Sequence, residues 1–246
     1  ITATGAGTIS VSANADITTT GSAANDGNSA GGAGGNVTID NATTTLTLND
    51  TLISTAGGAG AGSGAVGNGG NITISDPLTI ASGEVQLNTG TGSTGGDLST
   101  NTINGSTSLN LTYGGGSLST GIIGGGTALT GITYTGTALT LSNNITTNNG
   151  AVDINAPVTL GADITITTQN GSIDFSSAID GNQSLTLSSG SGAIALQGAT
   201  GENTALTALT INSAGTGTIE VANIGDSTGV GVSGATAVGN TSTTTL

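Results

Sequence analysis

The chain is 246 residues long, carries a net charge of −14 and contains no lysine, arginine or histidine. That excludes nucleic acid, whose phosphates need basic side chains, and anionic lipid surfaces for the same reason; internal side-chain salt bridges and tryptic cleavage go with them. Forty-six glycines, two tyrosines, one phenylalanine and no Trp, Met or Cys exclude an aromatic-rich globular core, while 34% hydrophobic against 6% charged residues is the reverse of a disordered profile.

The opening, Ile1-Thr2-Ala3, lacks methionine and a charged signal region, so a processed product or a piece of a longer protein is expected. No run of about 18 apolar residues occurs, so no helix is expected to insert in a membrane. The absence of cysteine fits a secreted protein without disulfides and equally a reducing compartment. Residues 1–12 read as a strand without a charged cap. From there to residue 100 the coils are long. Gly34-Gly35-Asn36-Val37-Thr38-Ile39 returns as Gly69-Gly70-Asn71-Ile72-Thr73-Ile74, a step of 35. The surplus lies in Gly/Ala/Ser-rich runs at 18–36, 53–71 and 89–96, expected to loop out at one corner, stacked on one another. Pro77 and Pro157 each precede a strand, where the ladder loses little.

Between 101 and 225 the step shortens to 21. Leu111/Tyr113 are expected to lie over Ile132/Tyr134, and Leu118 over Leu139. One column then runs Val152/Ile154, Ile173/Phe175, Ile194/Leu196, Ile219/Val221. A second runs Ile164/Ile166, Leu185/Leu187, Leu209/Ile211. A weaker third holds Val158/Leu160, Ile179 and Ile224. A glycine stands two positions before each pair of the first column, at 150, 171, 192 and 217, and Asn149-Gly150 and Asn170-Gly171 suit corners with positive φ. Residues 226–246 form a C-terminal strand or tail ending in Thr241–Leu246, which also lacks a cap.

Apolar–polar–apolar runs of three to five residues are half-buried strands rather than helices. Like pairs recur after a whole repeat, so like strands stack in parallel, about 4.8 Å apart. The expected fold is therefore all-β: a three-sided parallel β-helix (β-solenoid), one domain over 1–246, of roughly ten coils and on the order of 45–50 Å long. One coil alone cannot offset the entropy of ordering some 21 residues; shared cores between neighbours make up the difference.

For chemistry the chain offers little. Without His or Cys the usual transition-metal ligands are missing. The Gly-Gly-x-Gly-x-Asp calcium repeat is absent, since Gly69-Gly70 and Gly95-Gly96 lead into strands. Asp153, Asp174 and Glu220 share the outward centre of the first column, interrupted by Ala195. A cation bridging Asp153 and Asp174 is a weak metal candidate beside the plainer reading, a solvated acidic stripe. Asp97 and Asp180 read as turn residues. A carboxylate pair could in principle hydrolyse a glycoside, but no aromatic sugar platform and no basic proton acceptor accompany it, so neither catalytic nor cofactor-binding residues are expected and the chain is read as no enzyme. Outward Thr165, Thr186 and Thr210 form a column of the kind ice-binding solenoids use, and also of the kind exposed strands favour in general. Asn36, Asn71, Asn110 and Asn144 open Asn-x-Thr sequons, which are frequent by chance in such a composition.

"AGGNVTI" and "NGGNITI", together with residues 162–198 and 206–225, resemble the repeats of filamentous-haemagglutinin-like exoproteins, bacterial surface proteins exported by two-partner secretion or as autotransporters. The resemblance, one of repeat style over roughly 34–225, implies right-handed β-helical shafts, an extracellular or cell-surface location, and roles in adhesion, biofilm or fibre formation. Right-handed parallel crossovers are also the rule. The function expected is a structural fibre or stalk segment whose open edges pair head to tail. The alternative is an adhesin whose corner loops at 20–35 and 55–70 touch a cell-surface glycan or protein.

Overall fold

The structure is a computed structural model and describes residues 9–40, 45–91, 94–214, 216–225 and 231–239. Among the described residues the named elements are all β-strands, and they pair in parallel. The fold is the parallel β-solenoid expected from the alternation. Its contacts divide it into two units: residues 1–120 with 135–138, and residues 121–134 with 139–246.

In the first unit each coil contributes three short strands, and like strands stack into three ladders. One ladder holds Ile9–Val11, Leu46–Asn49, Leu78–Ser82 and Ile103–Gly105; the second holds Ile17–Thr18, Leu52–Ser54, Val85–Asn88 and Ser108–Thr112; the third holds Val37–Ile39, Ile72–Ile74, Leu98–Thr100 and Leu118–Ser119. Register follows the apolar letters: Leu46 on Leu78, Leu87 on Leu111, Val37 on Ile72 on Leu98. Because side chains alternate across a strand, those residues turn inward and are buried, while Thr47, Gln86 and Thr38 between them turn outward.

The second unit carries the columns of the 21-residue repeat. Val152, Ile173, Ile194 and Ile219 stack in register, as do Ile164, Leu185 and Leu209. Ile173 and Ile194 are fully buried. The third column runs Leu139, Val158, Ile179, Thr200 and Ile224, with a threonine where an apolar residue is missing from the sequence pattern. Two faces merge late in this unit. Ile194–Thr200 is one seven-residue strand that pairs with Ile173–Phe175 at its start and with Ile179 at its end, and its register against Ile219–Ile224 shifts between Leu196 and Ala199. Gly198 permits it: a Cβ there would sit 2.2 Å from Ser177 C.

Two expected registers fail. Tyr113 N donates to Thr135 O, which aligns Tyr113 with Gly136 rather than Tyr134, a step of 23. The reason is steric: the Tyr113 ring lies where a Cβ on residue 136 would be 2.4 Å from Cζ, so only glycine can face it. Leu118 closes the ladder of Leu98, whereas Leu139 belongs with Val158. Of the end strands expected at 1–12 and 241–246, residues 1–8 and 241–246 lie outside the described residues; Ile9–Val11 does pair with Leu46–Leu48.

The corners depart from expectation in a way that explains the glycine column. Positive φ is found at Asn149 (62°), Gln169 (56°) and Gly190 (57°), not at Gly150 or Gly171. Those glycines serve close approach instead. A Cβ on Gly171 would lie 2.0 Å from Gly150 O, and one on Gly192 2.1 Å from Gly171 O. Each is also held by a buried hydroxyl. Thr147 Oγ1 donates to Gly150 O (2.6 Å), Thr168 Oγ1 to Gly171 O, and Ser189 Oγ to Gly192 O (2.6 Å). At Gly171 and Gly192 the glycine N–H returns the bond to the Thr168 and Ser189 carbonyls, at 3.0 Å in both.

Candidate functional site

The acidic column forms as the alternation requires. Asp153 and Asp174 are register partners on adjacent strands, Ala195 takes the next place, and Glu220 follows. Partial burial, with Asp174 beside it, pushes the Asp153 carboxyl above its ordinary value; burial and then Glu220 do the same for Asp174. Gln197 Nε2 reaches across the gap to both Asp174 oxygens at 3.0 and 3.1 Å. No group of three or more candidate ligand side chains gathers among the described residues. What the column offers is like charges that repel, Asp153 against Asp174 and Asp174 against Glu220, with Asp174 partly quenched by an amide.

Asp97 and Asp180 sit where coils meet, and both serve the backbone of the next coil. Asp97 Oδ1 accepts from Ser117 N (2.7 Å) and Ser117 Oγ (3.0 Å), which holds its carboxyl below the ordinary range. Asp180 is partly buried, which disfavours its charge, but donors from Asn203 and Thr204 outweigh this and bring its carboxyl below the ordinary value. Asp97 belongs to a longer ladder. Asn36 Oδ1 accepts from Asn71 N (2.8 Å), and Asn71 Oδ1 from Asp97 N (2.9 Å). The asparagine of each Gly-Gly-Asn repeat is thus a bracket between coils, a role its recurrence before "VTI" and "ITI" signalled. In the second unit Asn170 Nδ2 donates to Asn149 Oδ1 (2.7 Å), and Asn170 Oδ1 accepts from Ser191 Oγ (2.9 Å) in the same manner.

The outward threonines lie in register, Thr165 on Thr186 on Thr210, and the column ends at Ala237. A companion column two residues on reads Thr167, Ser188, Asn212. Tyr113 and Tyr134 are fully buried and present nothing to a ligand. The Tyr113 hydroxyl has no hydrogen-bond partner among the described residues, and burial pushes its phenol well above the ordinary value.

The first unit's Gly-rich runs are a prominent surface feature, and their described residues are hydrogen-bonded to neighbouring segments. Each leaves the coil at a threonine and re-enters at a glycine through the clamp described above. Thr19 Oγ1 bonds Gly35 O (2.5 Å), Thr55 Oγ1 bonds Gly70 O (2.6 Å) and Thr89 Oγ1 bonds Gly96 O (2.7 Å). The closing residues are 16, 15 and 7 apart there, against 3 in the clamps of the second unit.

Within the first two excursions the chain runs out and back, with contacts every third residue. Gly64, Gly67 and Gly70 face the carbonyls of Ser29, Gly32 and Gly35, where a Cβ would be 2.0, 2.0 and 2.3 Å away. Three residues per turn, no internal hydrogen bonds and glycine at the crowded contacts are the features of polyproline-II-type packing. The bonds accordingly run between chain segments: Gly32 N to Ser22 O (2.8 Å), Gly58 N to Gly32 O (2.9 Å), Gly67 N to Gly58 O (2.8 Å). Two open cavities, of about 330 and 130 Å³, flank the returning chain Val66–Asn71 on the side of the short third excursion. Val66, 52% exposed, is the most exposed large apolar residue described.

Comparison with known proteins returned no match: no family model, no curated protein and no solved structure corresponds to this chain.

Proposed function

We propose that the chain is a structural segment, a stalk or fibre unit, of an extracellular or cell-surface protein in the style of the filamentous-haemagglutinin-like exoproteins, and that it associates head to tail with further copies of itself. The observation that carries this reading is the continuity of the ladders. Apolar residues stack in register coil after coil, and outward polar residues such as Asn71 and Asp180 bracket one coil to the next. A surface built this way supports stiffness and durability rather than turnover, and the reading assigns it no catalysis. The lack of any basic residue fits an exterior that serine proteases of tryptic specificity cannot cut. Electron microscopy of the purified chain at rising concentration tests it: filaments or end-joined particles are expected, and material that stays monomeric throughout refutes the assembly.

A second reading, attachment through the corner excursions at 20–35 and 55–70, is favoured by the solvent-facing Ala30, Ala33, Ala65 and Val66 in that bundle. Deleting both excursions between their clamps is expected to abolish attachment to cells while leaving the β signal intact. Undiminished attachment would reduce the excursions to spacers.

A further inference from the structure

The second excursion is bonded on one face and open on the other. Four N–H groups of the first excursion donate into it: Gly21 to Ala56 O (2.9 Å), Ala24 to Ala59 O (2.9 Å), Gly31 to Ala65 O (3.0 Å) and Gly34 to Asn68 O (2.8 Å). The stem bonds fix which groups correspond one tier on. Gly32 N to Ser22 O and Gly35 N to Thr19 O in the first tier match Gly67 N to Gly58 O and Gly70 N to Thr55 O in the second. The equivalents of the four donors are therefore Gly57, Gly60, Val66 and Gly69. Of these, Gly69 alone finds an acceptor among the described residues, Thr94 O at 2.6 Å. The third excursion closes at Gly96, 7 residues after Thr89, against 15 between Thr55 and Gly70 in the second. The N–H groups of Gly57, Gly60 and Val66 have no acceptor among the described residues, and the two cavities open at this step.

We propose that the open face of the second excursion binds a glycine-rich chain that runs out and back in extended form, with glycine at every third position, whose carbonyl oxygens accept from Gly57 and Gly60 on its outgoing segment and from Val66 on its return. The chemistry of the occupant follows from the tier already in place. Donors three residues apart within each segment, Gly57 and Gly60 going out and Val66 and Gly69 returning, are matched by a threefold chain and not by a β-strand of period two. The occupant's contact positions must lack Cβ, as Gly64 and Gly67 do against the first tier. Gly96, the one third-tier residue that follows the rule to the end, would place a Cβ 2.1 Å from Gly70 O. Backbone bonds supply the affinity, so no basic residue is needed on either side. The inference goes beyond the stalk reading and names a ligand class for the corner excursions; it stands or falls without reference to filaments.

The test uses the full chain and, as probe, a synthetic peptide of the sequence of residues 56–71, "AGGAGAGSGAVGNGGN". Hydrogen exchange read residue by residue is expected to show the amides of Gly57, Gly60 and Val66 exchanging fast in the free chain and slowed on saturation with peptide. Val66→Pro removes one donor while keeping the φ of an extended threefold chain, and is expected to weaken binding roughly fivefold; unchanged exchange in the Leu46–Asn49 ladder shows that the fold is retained. The same peptide with alanine in place of its glycines is expected not to bind. No slowing at the three amides in the wild-type chain, or equal binding of the alanine peptide, would overturn the proposal. So would a well-folded Val66→Pro chain of undiminished affinity.

Discussion

Gly171→Ala separates two explanations of the glycine column. If glycine were there for backbone freedom, alanine at a position without positive φ would be welcome, stabilising by about 0.4–1 kcal/mol through the unfolded chain. The structure predicts the opposite. The added Cβ would sit 2.0 Å from Gly150 O and 2.4 Å from Gly150 C, main chain against main chain, where no side chain can swing aside. Reaching an ordinary carbon–oxygen separation of about 3.3 Å means parting the two coils locally by roughly 1.3 Å, against a ladder spacing of about 4.8 Å. The bond from Val152 N to Ser172 O, 2.9 Å, spans that opening and is lost or stretched. Overpacking of about 1–3 kcal/mol with one net hydrogen bond of about 1 kcal/mol gives a loss of about 2–4 kcal/mol. Urea unfolding followed by far-ultraviolet circular dichroism measures it. Gly125→Ala is the control, because the nearest atom its Cβ would meet is Cγ2 of the exposed Ile122, at 2.8 Å. A Gly171→Ala chain as stable as the parent would refute the close-approach argument.

Thr168→Val removes the clamp hydroxyl at constant shape and leaves the Gly171 carbonyl short of a donor, so a loss of about 1–2 kcal/mol is expected in the same assay. Gly136→Ala drives a Cβ into the buried Tyr113 ring and is expected to cost about 1–3 kcal/mol, most of it recovered when Tyr113→Leu is added. The carboxylates give opposite pH signatures. Asp153 has a raised folded-state pKa, so its contribution is fully present below the unfolded value, near 3.9, and is lost as pH rises through the folded one; Asp153→Asn should therefore raise stability at neutral pH and change nothing in acid. Asp180 has a lowered one, so its stabilisation holds above the unfolded value and is lost as pH falls through the folded one; Asp180→Asn should lower stability at neutral pH, with the deficit closing in acid.

The parts of this molecule that are legible in its sequence are those in which one letter has one meaning. Ile173 and Ile194 can be placed one above the other because an apolar residue flanked by polar ones at a fixed step has a single inward solution, and Asp153 and Asp174 follow as their outward neighbours. Threonine is different, because the same residue faces water at Thr165 and closes a buried corner at Thr168, three positions on. Glycine is equally ambiguous: at 171 it admits a neighbouring carbonyl, at 190 it adopts positive φ. The 21-residue step breaks at Tyr113, where the bulk of one ring resets the register onto Gly136. The Gly-rich runs read as stacked loops, but their internal order is hidden from sequence, since a contact period of three leaves no apolar signature to follow.

The central claim is that residues one coil apart stand side by side on adjacent parallel strands. The chain has no cysteine, so Thr165→Cys with Thr186→Cys makes a clean pair at outward register partners, whose Cα atoms, about 4.8 Å apart, suit a disulfide. Mild oxidation of the double variant should form the intramolecular bond quantitatively, with the β signal unchanged, while Thr165→Cys paired with Thr210→Cys, displaced by a further coil, should stay reduced. Failure of the first pair to close in folded protein, or closure of the second in its place, would contradict the stacking on which the whole account is built.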